Sequence, residues 1–390
     1  MKIFFINNGT THYYNLVLNK LSRVKDLQLT VIVPDGTSSC IGEGVYQTRE
    51  NILFRVIELP EYAMMGKIIT FRGLASLLLK ERPDAVIFAD IYLYSFVLNV
   101  PVVAVTRLLG IKLIMKSIPF RLPTYIQARK QVEDKKGASA LLGWFMLALR
   151  RMAYNVPHAH VNYIDAAREV YGSYGVPAKK IFVTRNSPDT DALLIIKAGI
   201  KPNLPPCRYR LIHVGRLVAW KRVDLLIRAF SRILPVFPDA ELLVVGSGPD
   251  QEQLETLADK LNLGTRIRFL GGIYDPRLLG QYLISSSIYV LPGMGGLSIN
   301  EAMCFGLPVI CSVGDGTEKF LVRDGVNGKY FKDGDEADLV EKIKFLFQRP
   351  YIMTAMGIES ERIIQDEVNI HTVIDGYRRA LSFALNKTYL

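Results

Sequence analysis

Two kinds of apolar run alternate along the second half of the chain. Leu211-Ile212-His213-Val214, Leu242-Leu243-Val244-Val245, Ile267-Arg268-Phe269-Leu270, Ser287 to Leu291 and Pro308 to Cys311 are short and continuous, and the first three end at glycine. Between them Val223, Leu226, Ile227, Phe230, Ile233 and Leu234 recur at helical spacing, as do Leu254, Leu257, Ala258 and Leu261. Continuous runs of strand length are buried on both faces, and alternation with helices predicts a parallel sheet covered on both sides. The second half is therefore predicted to be a Rossmann-like doubly wound α/β domain. The first half repeats the pattern less cleanly, with strands predicted at Lys2 to Ile6, Leu29 to Val33, Ala85 to Phe88, Val102 to Val105, Lys112 to Met115 and His160 to Tyr163. Pro202-Asn203-Leu204-Pro205-Pro206 lacks periodicity and reads as a linker. Two such domains facing a central cleft would place ligands at the carboxyl ends of both sheets.

Length and composition agree with this picture. The 390 residues exceed one ordinary core and suit two domains. With 49% hydrophobic residues, a folded chain is expected and a disordered one excluded. Met1 to Gly9 reads as a first buried strand rather than a signal peptide. The apolar run Leu141 to Leu149 falls short of the roughly twenty residues that a spanning helix needs, so no transmembrane segment is expected. Cys40, Cys207, Cys304 and Cys311 have no zinc-like spacing and read as reduced thiols of a cytosolic protein.

Charge changes the picture more. Residues 1 to 190 hold 24 Lys and Arg against 14 Asp and Glu, while the remainder holds 24 against 23, so almost all of the net +11 lies in the first half. An anionic partner such as a membrane leaflet or a lipid-linked substrate fits that asymmetry.

Candidate chemistry concentrates between His213 and Pro308. Arg216 follows a predicted strand and Lys221 precedes the next helix, so both should project at the carboxyl edge of the sheet. A guanidinium fork and a point charge there suit a diphosphate and its developing charge as a leaving group. Gly293-Met294-Gly295-Gly296 precedes a helix predicted from Ser298 to Phe305, where backbone N–H groups of Gly296, Leu297 and Ser298 could meet phosphate. Glu301, one turn into that helix, could accept hydrogen bonds from ribose hydroxyls. Gly9 could bring a first-half loop close to phosphate, and His12 beside it reads as structural.

These residues resemble the nucleotide-sugar glycosyltransferases of GT-B fold, specifically the retaining family 4. Arg216 and Lys221 match the diphosphate-binding pair of that family, Gly246-Ser247-Gly248-Pro249 its Gly-x-Gly-Pro turn, and Glu301 the second glutamate of its Glu-x7-Glu motif. Ala302 to Val309 resembles its Ala-Met-x-x-Gly-x-Pro-Val segment, and Tyr174-Gly175-Val176-Pro177 and Asn186 match the end of its first domain. The resemblance implies that Gly9, Gly246, Gly293, Met294, Gly296, Leu297, Ser298 and Glu301 line the donor site, with Arg216 and Lys221 catalytic. It implies residues 1–195 as an acceptor-binding domain, 196–365 as a nucleotide-sugar domain and 366–390 as a helix returning to the first.

Two departures stand out. Gly293 occupies the place of the family's first glutamate, which contacts the transferred sugar. Ser117, with Lys116 adjacent, takes the place of a histidine after a middle strand of the first domain. The resemblance further implies retention at the anomeric carbon, no metal ion, no cofactor beyond a UDP- or GDP-sugar donor, and leaving-group stabilisation as the main protein contribution.

On the acceptor side, Arg121, Arg129, Lys130, Lys135, Lys136, Arg150 and Arg151 flank Tyr125, Trp144, Phe145 and Met146, a composition that can lie in an anionic membrane interface. A lipid-linked or cell-surface glycan acceptor and a cytoplasmic, peripheral position on the inner membrane face are expected. No nucleic-acid reader motif is present. A nucleotide-sugar epimerase, or a catalytically silent partner of an active transferase, remains the alternative at this stage.

Overall fold

A computed structural model describes residues 1–36, 38, 46–120, 122–314 and 316–387. Cys40 and Arg121 lie outside the described residues. The chain divides into two compact units, Met1–Gly42 with Tyr46–Arg185 and His371–Leu390, and Glu43–Val45 with Asn186–Ile370.

The first unit contains β1 (Lys2–Ile6), β2 (Gln28–Pro34), β3 (Arg55–Leu59), β4 (Glu61–Met64), β5 (Ile68–Phe71), β6 (Ala85–Ala89), β7 (Lys112–Ser117), β8 (Ala159–Asn162) and β9 (Ile181–Val183). Seven of these form a parallel sheet in the order β3-β2-β1-β6-β7-β8-β9, while β4 and β5 form a separate antiparallel pair. Phe4, Ile6, Val86, Phe88 and Met115 are fully buried, as the continuous apolar runs require. The final helix, Ile370–Leu385, contributes Tyr377 to this core, where its hydroxyl lies 2.9 Å from that of Tyr14.

Val102 to Val105, predicted as a strand, lies in a helix, Val100–Leu108. Asn99 precedes that helix in extended conformation, and Pro101 sits in its first turn, where the missing N–H costs nothing. Val102 and Thr106, four apart, are buried while Val100 and Leu108 face solvent. Helical periodicity on one face thus overrides the β-branched run.

The second unit contains β10 (Arg210–Val214), β11 (Glu241–Val245), β12 (Ile267–Phe269), β13 (Ile288–Leu291), β14 (Val309–Cys311) and β15 (Gly328–Tyr330). All pair in parallel, in the order β12-β11-β10-β13-β14-β15. The strand order reverses between β10 and β13, and loops leaving both carboxyl ends flank that switch point. Helix Val223–Ser231 buries Val223, Leu226, Ile227 and Phe230 against the sheet.

The Pro202 to Pro206 stretch does not mark the junction between units; it belongs to the second. Buried Arg210 holds it there, donating from Nη2 to the Pro205 carbonyl at 3.0 Å, from Nε to Glu241 at 2.7 Å and from Nη1 to the Ser285 carbonyl at 2.5 Å. Leaving that cation unpaired would cost several kcal/mol, roughly 3–5, so this stretch is fixed in place.

Candidate functional site

The loop after β10 carries Gly215, Arg216, Leu217 and the turn Ala219–Lys221. Lys221 is only 7% exposed, yet its ammonium is well satisfied: Nζ donates to the carbonyls of Met294 at 2.8 Å and Gly295 at 2.6 Å. These bonds join the β10 loop to the loop after β13. A backbone bond from Met294 N to the Trp220 carbonyl, 3.0 Å, closes the same contact from the other side. The Arg216 guanidinium lies 5.5 Å over the Trp220 ring, so its planar face is supported by an aromatic one.

His213 lies beneath. Its Nδ1 faces the Val290 carbonyl at 3.0 Å, which requires the proton on Nδ1 and leaves Nε2 as a buried acceptor with no partner. Burial, with the Lys221 charge adding to it, pushes His213 down to about 4. A neutral ring is what the neighbouring ammonium tolerates.

Three glycines make this approach of loops possible. A Cβ on Gly246 would stand 1.8 Å from the Gly215 carbonyl oxygen, and one on Gly248 2.2 Å from that of Leu217. Gly246 also has φ +144°, a conformation that disfavours side chains. Gly293 is the most instructive: a Cβ there would meet the Trp220 oxygen at 2.3 Å and the Lys221 carbonyl carbon at 2.7 Å. The missing acid thus has a steric reason, since the backbone of the Lys221 turn occupies the space through which any side chain would leave.

The chain then turns into helix Ser298–Cys304. Among the described residues no carbonyl accepts from the N–H groups of Gly296 or Leu297. The Ser298 hydroxyl lies 2.7 Å from that of Tyr289, which in turn donates to the Val214 carbonyl at 3.3 Å. Tyr289 therefore ties both loops together, a role hidden in the sequence because it lies within an apolar strand run. Glu301 keeps a path to solvent, but desolvation pushes its carboxyl up to about 7, and no described side chain or backbone group donates to it. Arg216, Lys221, Gly293, Met294, Gly296 and Leu297 thus belong to one pair of adjoining loops, with Ser298 and Glu301 in the helix that follows the second, while Gly246 supports them from the β11 side.

Gly9 belongs to the first unit, where its carbonyl accepts from the buried Asn7 side chain at 2.9 Å. Ser117 does not open to solvent: its hydroxyl lies 2.9 Å from Asn162 Oδ1 and 2.6 Å from the Tyr171 hydroxyl. The neighbouring Lys116 reaches the carboxyl edge instead, its Nζ 3.7 Å from the centre of the Tyr14 ring. A charged residue near the end of an otherwise apolar strand was the available signal for it.

Solved structures of GT-B type superpose on the whole chain. HepE of Anabaena in complex with UDP has a TM-score of 0.69 at 17% identity, covering 98% of this chain and 100% of that one. The fold is GT-B, two Rossmann-like halves of α/β class. Residues 200–364 match the model of the family glycosyl transferases group 1. An uncharacterized glycosyltransferase of Haemophilus influenzae is 30% identical over 177 residues, 44% of this chain and 48% of that protein. Phosphatidyl-myo-inositol mannosyltransferase of Mycobacterium leprae is 34% identical over 149 residues, 36% of this chain and 38% of that protein. The matches span about half or less of these curated relatives, and the family match likewise falls within the second half of the chain.

Proposed function

We propose that the protein is a retaining, metal-independent glycosyltransferase that moves a sugar from a UDP- or GDP-sugar to a lipid-linked or cell-surface glycan acceptor. The observation that carries this reading is the position of Lys221, whose buried ammonium is fixed against the Met294–Gly296 loop. A diphosphate oxygen is a stronger acceptor than either carbonyl and would take over those donors, with Arg216 as a second cation and the free N–H groups of Gly296 and Leu297 beside them. In that arrangement the charge growing on the leaving diphosphate meets donors already oriented, which is where electrostatic catalysis is most effective.

Glu301 would accept from the ribose hydroxyls. Two O–H donors would favour its carboxylate form and reverse the upward shift that burial imposes. No role is assigned to a metal, and the diphosphate itself would assist removal of the acceptor proton. The UDP complexes of HepE support a nucleotide-sugar donor, and the lipid named in the Mycobacterium leprae enzyme supports a lipid-linked acceptor.

The position proposed is cytoplasmic, peripheral on the inner membrane face. No single described helix is long and apolar enough to cross a membrane. Helix Ala138–Asn155 nevertheless exposes Leu141, Leu142, Phe145 and Met152 on one side, with Lys135 and Lys136 just before it. Such a face can enter an anionic interface while the lysines meet headgroups.

The test is incubation of the purified protein with a panel of UDP- and GDP-sugars, with and without bacterial lipid extract, following released nucleoside diphosphate and sugar isomers. Lipid-dependent release and an α-configured product from an α-configured donor are expected, unchanged by a chelator. Arg216→Ala and Lys221→Ala should each lower transfer by about 100-fold or more. Isomerisation without transfer would instead support an epimerase, and near wild-type rates in both variants would sink the site.

A further inference from the structure

Helix Ala138–Asn155 carries two adjoining stripes that share Ala148. Leu141, Phe145, Ala148 and Met152 recur at helical spacing along the exposed apolar stripe, and Trp144, Ala148, Arg151 and Asn155 recur in the same way beside it. The second stripe forms one wall of a cavity of about 470 Å³, with Tyr125, Tyr174 and Gly175 on the other side and Met152 at the border between the stripes. That volume suits part of a small molecule, for which sites run from about 300 to 1,000 Å³.

The cavity combines aromatic surface with an unused cation. Tyr125 and Tyr174 meet edge to face, their centres 5.6 Å apart and their planes at 84°, and Trp144 stays 40% exposed. The Arg151 guanidinium, itself exposed, lies 5.5 Å from the centre of the Tyr125 ring. Among the described residues its side chain makes no hydrogen bond and no ion pair, so the ring orients a planar fork whose donors remain available. Gly175, with φ +91°, adds no side chain beside it. Asn155 donates from Nδ2 to the carbonyls of Arg151 at 2.8 Å and Tyr174 at 3.1 Å, which leaves its Oδ1 as an acceptor.

This place is not the edge at which ligands of such folds bind. Asn155 and Gly175 stand just before β8 and β9, so their end of the cavity lies toward the amino edge of the sheet, whereas Lys116 lies near the carboxyl end of β7. A bare anion would meet Arg151 and leave the rings uncovered. A neutral sugar would cover the rings and leave the cation unpaired. A phospholipid of net negative charge supplies both, a phosphodiester for the guanidinium fork and apolar carbons for Trp144 and Met152. Its headgroup hydroxyl could donate to Asn155 Oδ1. Charge favours the same occupant: residues 1 to 190 hold 24 Lys and Arg against 14 Asp and Glu, and Lys135 and Lys136 precede this helix. Acyl chains leaving the cavity would continue over the exposed Leu141 and Phe145 stripe, and Trp and Tyr are the side chains that settle at headgroup level.

We propose that this cavity is a headgroup site for a single anionic glycerophospholipid, separate from the transfer site. Arg151 binds the phosphodiester, Asn155 Oδ1 accepts from a headgroup hydroxyl, and Trp144 and Met152 cover the start of the acyl chains. The choice of a lipid among anionic amphiphiles rests on the membrane position proposed above; the cavity and its unpaired cation do not.

The test uses the full chain and dihexanoyl phosphatidylglycerol held below its critical micelle concentration, so that single molecules are bound and not a bilayer. Trp144 fluorescence, assigned by its loss in Trp144→Phe, reports occupancy, and native mass spectrometry counts the molecules bound. Saturable binding of one lipid per chain is expected. Arg151→Met should weaken it about 10-fold or more, the scale of a lost charge-assisted hydrogen bond. Ala148→Phe, which fills the cavity from an exposed position, should abolish it without lowering the melting temperature. Glycerol 3-phosphate, inorganic phosphate and methyl glucoside should leave the fluorescence unchanged. Binding of either phosphate as tight as that of the lipid makes this an anion site and overturns the proposal, as does equal binding of the glucoside or wild-type affinity in Ala148→Phe. Leu141→Glu with Phe145→Glu should leave the short lipid bound while vesicle cosedimentation falls. Short-lipid binding without vesicle binding counts against the membrane position alone, whereas vesicle binding without short-lipid binding overturns the cavity site.

Discussion

Each unit places one desolvated lysine at the carboxyl edge of its sheet, and the two are accommodated in opposite ways. Lys221 donates to two backbone carbonyls brought to it by glycine loops, whereas Lys116 has only aromatic faces and a carboxylate out of reach. A desolvated ammonium is costly wherever it lies. In the second unit the backbone offsets that cost before any ligand arrives, so the site is already oriented. In the first unit only aromatic faces and a distant carboxylate offset it. The difference predicts that backbone changes disrupt the Lys221 edge and that pH acts on the Lys116 edge.

The largest effect should come from Gly293. Because the conflict arises at Cβ, 2.3 Å from the Trp220 oxygen, Gly293→Ala should be nearly as damaging as Gly293→Glu, which would introduce the acid found in the family that the sequence resembles. Both should displace the Met294–Gly296 loop from Lys221, lower donor turnover by about 100-fold, as loss of the charge contact itself would, and lower the melting temperature. Comparison of the two variants by turnover and thermal melt is decisive: an active Gly293→Glu beside an inactive Gly293→Ala would show that the acid is wanted there and that backbone contact is not the reason for glycine.

Next in size is the pH dependence of stability at Lys116. Its pKa is about 7 when folded and about 10.4 when unfolded, so the unfolded chain binds more protons between these values and stability rises with pH across that window. Tyr14 and Tyr163, which face it, are pushed up by burial and stay neutral there, and among the described residues Asp90 is the charge that acts on it. Lys116→Met should therefore be more stable than wild type at pH 6 to 7, with the advantage shrinking toward pH 10. Melting curves across this range would show a constant difference if the ammonium were not desolvated.

Glu301 works in the other direction. Its folded pKa of about 7 exceeds the unfolded value, so its contribution is complete below about 4.5 and is lost as pH rises through 7. Glu301→Gln should match wild type near pH 4.5 and exceed it at pH 8, by at most about 3 kcal/mol. The same variant should bind UDP and GDP about tenfold more weakly, since a charged acceptor of hydroxyl groups is gone. Gain of stability with loss of nucleotide affinity is the pairing expected of a group held for a ligand; stability gained without that loss would leave Glu301 as a merely buried acid.

These two edges were unequally legible in the sequence. Arg216, Lys221 and the glycines stand in loops between strongly patterned strands, so spacing alone placed them together. Lys116 and Asp90 lie 26 positions apart by residue number and are joined only by the parallel pairing of β6 with β7, which no local pattern expresses. The same limit explains the other differences. Strand β15, Gly328–Tyr330, is three residues long and begins with glycine, leaving no apolar run to detect. Residues 102 to 105 read as a strand because β-branched residues cluster there, while the helix is set by Pro101 and by which side meets the core. Tyr289 and His213 were hidden differently: each sits inside a strand whose apolar neighbours make a polar atom look incidental, and only the loop geometry gives it a partner or withholds one.

The smallest effect on the fold, and the last contrast between the units, concerns helix Ala138–Asn155. The second unit is nearly neutral in sequence, whereas this helix in the basic first unit exposes Leu141 at 74%, Leu142 at 62% and Phe145 at 64%. Side chains that exposed contribute little to folding, so Leu141→Glu with Phe145→Glu should change stability by no more than about 1 kcal/mol. Transfer of two large apolar groups into an interface is worth several kcal/mol, and the added carboxylates would meet anionic headgroups. Cosedimentation with vesicles containing phosphatidylglycerol should therefore fall by about 100-fold in the double variant, and wild-type binding should weaken in high salt. Nucleotide affinity at Lys221 should not move, because nothing in the second unit is altered. Equal sedimentation of variant and wild type would remove the membrane from the account of this helix and leave the charge excess of the first unit to be explained by an anionic acceptor alone.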